Sequence, residues 1–498
     1  MSLFRKKDLN TMLSQAQDSG KGLKRTLGAG NLIALGIGAI IGAGLFVRTA
    51  AAAGQAAGPA VTLSFIVAAV GCAFAGLCYA EFASMIPIAG SAYAYSYVTM
   101  GELIAWIIGW ALIMEYALGA ATVSIAWSEY LNKLTNNAIP YEWSHSPLES
   151  VTLNGVTHTG IMNFPALVIL LGLTLLLIRG TQESAFVNAL IVFIKVAIVL
   201  IFIVVGWKFI NPANHTPYMI PEGLPGHEGI FKHGWGGVLG GAAIVFFAFI
   251  GFDAVSTAAQ EAKNPAKDMP IGILGSLVVC TILYILFGHV LTGVAPYTDF
   301  TDPTKGQEAS VAYAIKTYMT NYSWLATAVT IAILAGFSSV ILVMLMGQSR
   351  IFYTMSNDGL IPKAFGDLHP KYKTPYKANW ILFVFVGLFA AFIPGHMAGD
   401  LTSFGTLFAF VLVSIGVWIM RIKSPNMNRP FKTPLVPLVP ILGALICLGM
   451  IVAIDQRTLK FAFMWMAVGL VVYFLYSRKR SKLNQPGEIM PKASDFES

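Results

Sequence analysis

The stretch "GIGAIIGAGLF", residues 36–46, sets four glycines among eleven otherwise apolar positions. Three readings compete for it: a dinucleotide fingerprint of the G-x-G-x-x-G kind, a small-residue face on which two membrane helices touch, or a break built into a helix. Each demands a different setting, and composition supplies it. Of 498 residues, 56% are hydrophobic and 11% charged, far from the roughly 25% charged residues of soluble domains.

Apolar runs of about 20 residues, the length a helix needs to cross hydrocarbon, recur along the chain. Twelve spans are predicted: 29–53, 60–85, 102–130, 161–179, 185–208, 237–260, 271–294, 322–352, 378–394, 399–420, 435–453 and 459–477. The chain therefore reads as an all-α polytopic membrane protein. The fingerprint reading fails here, because it needs a soluble βαβ unit with an acid about 20 residues on, and the next acid is Glu81. No phosphate-binding loop, zinc motif or cofactor motif is present, so no cofactor and no enzymatic activity are expected, and transport work would draw on a gradient.

Twelve spans put both termini on one side. Lysine and arginine collect on that side, in the N-terminal tail (Arg5, Lys6, Lys7, Lys21, Lys24, Arg25), in 350–377, in "RIKSPNMNRPFK" and in "SRKRSK", so both termini are predicted cytoplasmic in a plasma membrane. The formal charge of +8 belongs to this asymmetry and to anionic lipid, with no nucleic-acid partner. Cys72, Cys78, Cys280 and Cys447 all fall inside spans, as buried thiols do. The domain reading is a tail over 1–28, a core of ten spans over 29–420, two peripheral spans with their preceding loop over 421–477, and a tail over 478–498.

Two readings of the glycines survive. Gly38 and Gly42 make an ordinary small-xxx-small packing pair. Against that, Gly42-Ala43-Gly44 puts three small residues at mid-span, where glycine offers little resistance to leaving the helix. The sixth span carries a similar interruption, "VFFAFIGFDAVSTAAQEAKNP", with Gly251 followed by Asp253. Weakened helices in the first and sixth spans point to an inverted repeat of 1–5 and 6–10, a transporter signature. Broken ends expose N–H groups on one side and carbonyls on the other, which suits the carboxylate and ammonium of an amino acid.

"GAIIGAGLF", "AGPAVTLSFI", "YAEFASMIPIAGSAYAYSYVTMGELIAWIIGWALIMEYALG", "FFAFIGFDAVSTAAQEAKNPAKDMPIGI", "GQSRIFYTMSNDGLIPKAF" and "RPFKTP" together resemble the amino acid-polyamine-organocation superfamily. More narrowly, they resemble its cationic amino acid transporter branch and the bacterial proton-coupled homologues of the ApcT type. The resemblance implies a LeuT-like fold of 5+5 inverted repeats with broken helices 1 and 6, twelve transmembrane helices, and alternating access. It places the substrate carboxylate on the backbone of Gly42, Ala43 and Gly44, and the ammonium on carbonyls of Ile40, Phe247 and Ile250. Phe247 is the implied aromatic gate, with Phe246 one register away, and Ala248 lines the pocket.

Charges inside spans cost at least about 2.5–3.5 kcal/mol each unless sheltered. Lys195 interrupts the apolar fifth span, and the resemblance implies that it stands in for a sodium ion beside Ser338 and Ser339 and carries the coupling proton. Glu115 in span 3 shares a helical face with Gly119 and Thr122. It is read as a partner of Lys195, a second proton carrier, or a counter-charge for a cationic substrate. Asp253, Glu261 and Glu81 are expected to make structural contacts, and Arg48 and His289 to anchor at the interface.

The expected activity is proton-coupled symport of L-amino acids, small neutral ones such as alanine above cationic ones. The rivals are an arginine/lysine transporter, an exchanger and, remotely, a non-transporting membrane sensor. The expected partners are the L-amino acid, the proton and membrane lipids, with room for a small accessory membrane subunit or further copies.

Overall fold

The computed structural model describes residues 4–7, 27–86, 91–153, 156–179, 185–257, 259, 262–302, 310–372 and 374–484. In hydrocarbon a segment must satisfy its own amides, and a helix does so internally, so helix coincides with each of the twelve apolar runs. The first run is α1 (Ala29–Ile40), then π-helical Gly44–Arg48, α2 (Thr49–Ala52) and a second π turn, Ala53–Ala57. There follow α3 (Val61–Met85), α4 (Ser91–Thr99) and α5 (Glu102–Leu134). After them come α6 (Phe164–Arg179), α7 (Ala185–Gly206) and α8 (Gly234–Val245).

Beyond a 3-10 turn lie α9 (Ala254–Thr257), α10 (Pro265–Val294), α11 (Ser310–Tyr318) and α12 (Ser323–Asn357). The chain ends in α13 (Tyr376–Phe392), α14 (Gly395–Lys423), α15 (Leu438–Val452), α16 (Gln456–Val472) and α17 (Arg478–Arg480). Among the described residues, seven helical stretches are long and apolar enough to cross a membrane, and five shorter apolar helices, α1 and α8 among them, fill the remaining runs. The all-α expectation needs one correction. β1 (Ser150–Leu153) pairs antiparallel with β2 (Val156–Thr159), Val151 opposite His158, because both segments are rich in valine and threonine, β-branched residues that favour strands. The four cysteines are buried free thiols, as expected.

Small residues set the close approaches. A Cβ on Gly36 would lie 2.4 Å from Ser276 Oγ, one on Gly272 2.6 Å from Leu32 Cβ, and one on Gly275 3.0 Å from Ile33 Cδ1, so α1 lies directly against α10. On the other side of the bundle α5 packs along both α12 and α14. Its indoles continue onto α16, with Trp110 stacked on Trp465 at 4.7 Å and Trp106 Nε1 donating to Gly469 O.

The described ends of the chain meet at one face. Glu102 N donates to Arg5 O (2.8 Å), Arg5 Nη1 donates to Leu483 O (2.8 Å), and Lys7 Nζ pairs with Asp358 (2.8 Å). Asp358 also accepts from Tyr93 (2.7 Å), and Glu102 from Tyr473 (3.0 Å) and Ser481. Nearby, buried Glu81 of α3 gathers the segment after α14. Arg421 donates to both its oxygens (2.9 Å each), Arg429 Nε lies 3.2 Å away as an ion pair, and Thr433 N donates at 2.8 Å. "RPFKTP" is thus fastened to α3 through one carboxylate, and Glu81 takes the structural role expected of it. Glu261 lies outside the described residues.

Removing one partner of a buried pair costs about 3–5 kcal/mol, and Arg421 keeps some solvent contact at 24% exposure. Glu81→Gln is expected to cost the lower end of that range, read as a lowered thermal midpoint of the purified protein. Combining it with Arg421→Gln should recover part of the loss.

Candidate functional site

The first interruption begins where α1 stops: Ile41 turns extended (φ −72°, ψ 104°). Helix resumes with Gly42 O accepting from Leu45 N (3.1 Å) and Phe46 N (3.4 Å). The amides of Gly42, Ala43 and Gly44 donate to no neighbour among the described residues, and they stand at the positive end of the resumed helix. The second interruption follows α8. Phe246–Phe249 tightens to 3-10, Ile250 is extended, and Gly251 takes φ +116° while its N–H donates to Asp253 Oδ1 (3.3 Å).

The two interruptions touch. A Cβ on Gly44 would fall 2.2 Å from Ala248 Cα, and one on Gly251 2.9 Å from the Ala39 backbone, so glycine is required at both for steric reasons. Ile40, Gly42, Ala43, Gly44, Phe247, Ala248 and Ile250, the seven residues expected to hold substrate, are all buried around this junction. Phe246 packs edge-on against Phe410 (5.6 Å) as a core residue, while Phe247 takes no part in the ring contacts found among the described residues.

Sequence reasoning missed Tyr284 of α10. Its hydroxyl donates to Ile40 O (3.0 Å) and Ala248 O (2.9 Å), tying the two interruptions together. The signal was present: a lone tyrosine in the apolar "TILYILFG" needs a partner for its hydroxyl. A cavity of about 620 Å³ opens from Ala43 and Thr122, past Arg48, Glu129 and Lys133, to Tyr141. It reaches the face of the 131–160 loop, away from the joined chain ends.

Arg48 does not anchor at an interface as expected. It is buried, pairs with Asp400 of α14 and donates to His396 O (3.4 Å); a guanidinium that cannot snorkel must be paired. His289 makes tilted ring contacts with His215 (4.6 Å between centroids) and Trp207 (5.5 Å). Burial and the neighbouring His289 hold His215, at the end of a 3-10 turn (Pro212–His215) in the connection after α7, below the usual histidine range.

Lys195 of α7 is buried, and its Nζ donates to Gly38 O (2.8 Å) in the last turn of α1 and to Ser339 Oγ (3.3 Å) of α12. Its stem crosses Gly336, whose absent Cβ would lie 2.9 Å from Cε. The other expected hydroxyl, Ser338, donates instead to Leu334 O (2.9 Å), as back-bonding serines in membrane helices do. Glu115 is equally buried but makes no ion pair with Lys195. It lies within electrostatic reach of Asp253 and Tyr79, and Asp253 also accepts from Tyr116 (3.1 Å). Among the described residues neither Glu115 oxygen has a direct hydrogen-bond partner. The partner role considered for Glu115 is therefore excluded in this conformation.

Residues 27–475 match the profile of the amino acid permease family. The chain is 44% identical over 487 residues to the branched-chain amino acid permease BcaP of Bacillus subtilis (strain 168), covering 97% of this chain and 99% of that protein. It is 42% identical over 489 residues to the methylthioribose transporter of the same organism, covering 97% and 100%. To the vacuolar cationic amino acid transporter 4 of Arabidopsis thaliana it is 33% identical over 430 residues, covering 85% and 68%. With interrupted first and sixth helical runs, several helices able to cross a membrane and this likeness along nearly its whole length, the chain belongs to the amino acid permease family of the amino acid-polyamine-organocation superfamily, multi-pass membrane transporters.

Proposed function

We propose that this protein takes up apolar L-amino acids together with protons across the plasma membrane, by alternating access. The proposed core is two inverted repeats of five helices over residues 29–420, with two peripheral helices after it and both termini cytoplasmic. Interruptions at corresponding places in the first and sixth runs support this arrangement. The carboxylate binds the amides of Gly42, Ala43 and Gly44, where hydrogen-bond donors and the helix dipole coincide. The ammonium binds at Ile40, Phe247 and Ile250. A hydroxyl has one proton, so Tyr284 donates fully to only one of its two carbonyls at a time, and an arriving ammonium takes up the other.

The observation that carries the coupling is the position of Lys195. Its ammonium joins α7 to the last turn of α1 and to α12, where a bound cation would otherwise sit, and the negative end of α1 favours that charge. Loss of its proton removes the attraction and frees α1 to move. Side-chain selectivity follows from the walls: Ile40, Phe247, Ala248 and Ile250 offer no counter-charge for a guanidinium. Alanine therefore fits. The two bacterial relatives named as branched-chain amino acid permeases, at 44% and 33% identity, extend the proposed range to valine, leucine and isoleucine, with arginine and lysine weaker. The relatives named as cationic amino acid transporters keep the opposite order as the rival reading.

In proteoliposomes with an imposed pH gradient and nothing inside to exchange, the wild type should accumulate alanine and valine, and sodium should add nothing. Lys195→Ala should abolish accumulation, whereas Lys195→Arg, which keeps the charge but not the release, should bind substrate without turnover. Normal uptake by either variant would place the proton elsewhere, with Glu115 the next group to test.

Competition uptake sets the substrate order. Unlabelled alanine or valine should inhibit at lower concentration than arginine, and the reverse order would reject the apolar pocket.

Replacing Gly44 with Val drives a branched side chain into the Ala248 backbone and into the carboxylate's approach. Thermal stabilisation by substrate, about 2.7 kcal/mol at a hundredfold excess over Kd in the wild type, should disappear in Gly44→Val. Its survival there would argue against the backbone grip.

A further inference from the structure

A second cavity, of about 770 Å³, lies on the side of the bundle, outside the proposed substrate site. This size falls within the roughly 300–1,000 Å³ of ligand clefts. Its walls are Ile33 of α1, Pro270, Leu274 and Val278 of α10, and Phe431 of the segment before α15, and Lys267 in the first turn of α10 closes one end. Ile271 and Val278 in its lining, and Ile282 one turn beyond Val278, are 40–58% exposed, so this face of α10 meets hydrocarbon. The cleft is thus apolar along its length and basic at one end. Two more exposed lysines flank its lining residues in the chain: Lys263 four residues before Lys267, and Lys432 next to Phe431. The acid in the same turn, Asp268, is occupied in capping, accepting from Asn264 N at 3.0 Å.

An apolar groove open to a bilayer is filled by acyl chain, and a cluster of lysines at the membrane surface favours an anionic headgroup. We propose that this cleft holds one anionic phospholipid, with its acyl chain against Ile33, Leu274 and Val278 and its headgroup phosphate at Lys267, and that the bound lipid stabilises α1 against α10. The placement gives the lipid leverage. The cleft lies on the seam where Ile33 rests over Gly275, and the same helix supplies Gly38 O to Lys195. A lipid in the cleft touches both sides of the seam, and its contacts are lost when α1 swings away from α10.

The test is native mass spectrometry and thermal denaturation of the full-length protein in detergent, titrated with dioleoylphosphatidylglycerol or dioleoylphosphatidylcholine. The wild type should retain one phosphatidylglycerol about tenfold more tightly than phosphatidylcholine, with a matching rise in thermal midpoint. Lys267→Glu, a change at an exposed position, should bring the two lipids near parity and remove the extra thermal rise. Leu274→Trp, which fills the cleft, should remove the tight adduct. Soluble glycerol phosphate, carrying the headgroup chemistry without the chain, should not displace it. Equal retention of both lipids by the wild type, an undiminished preference in Lys267→Glu, or displacement by glycerol phosphate alone would each overturn the proposal.

Discussion

An amide or carbonyl buried in hydrocarbon without a partner costs several kcal/mol, and this chain interrupts two helices deep inside its bundle. The remainder of the structure is organised around housing those interruptions. They are placed against each other, so that Gly44 meets Ala248 and Gly251 meets Ala39. A single tyrosine hydroxyl then serves one carbonyl from each. Among the described residues, what stays without a hydrogen-bond partner is a short run of amides, Gly42 to Gly44, at the positive end of a helix. Such a run persists where an anion or water is to be received, and a cavity that reaches Ala43 leads toward it from the face of the 131–160 loop.

Tyr284 and Lys195 deal with opposite sides of the same problem. Tyr284 neutralises carbonyls with a group that does not change charge near neutral pH. Lys195 contacts the carbonyl two residues before Ile40 with an ammonium. The α1 helix is therefore held by three kinds of contact: steric nesting on α10, a permanent hydroxyl bridge, and an ammonium. Only the last depends on protonation, which is why the proposed coupling is assigned there and not to the more numerous packing contacts.

The interruptions were legible because glycine clusters and helix length are local properties. The sequence "GAIIGAGLF" and the Gly251–Asp253 step marked both breaks, and the depth of Lys195 in an apolar run marked its burial. Partnerships across the bundle were not legible. Arg48 and Asp400 lie 352 residues apart, and no periodicity relates them, so Arg48 read as an anchor at a membrane boundary. Glu115 was correctly turned toward protein by its helical face, yet its neighbour proved to be Asp253 and not Lys195, because helix order in space is a property of packing and not of spacing. The β1–β2 hairpin was overlooked for a different reason: its strands of four residues are too short to stand out beside runs of twenty.

The separation of Glu115 from Lys195 bears on how the bundle divides its work. Lys195 lies on the α1, α7 and α12 side of the junction, whereas Glu115, Asp253, Tyr79 and Tyr116 gather where α3 and α5 meet the segment after α8. Two carboxylates buried at close quarters repel when both are ionised. The two interruptions are thus flanked by unlike groups, an ammonium tied to a carbonyl and a hydroxyl on one side and two carboxylates with their tyrosines on the other, so each break has its own polar support inside an otherwise apolar bundle.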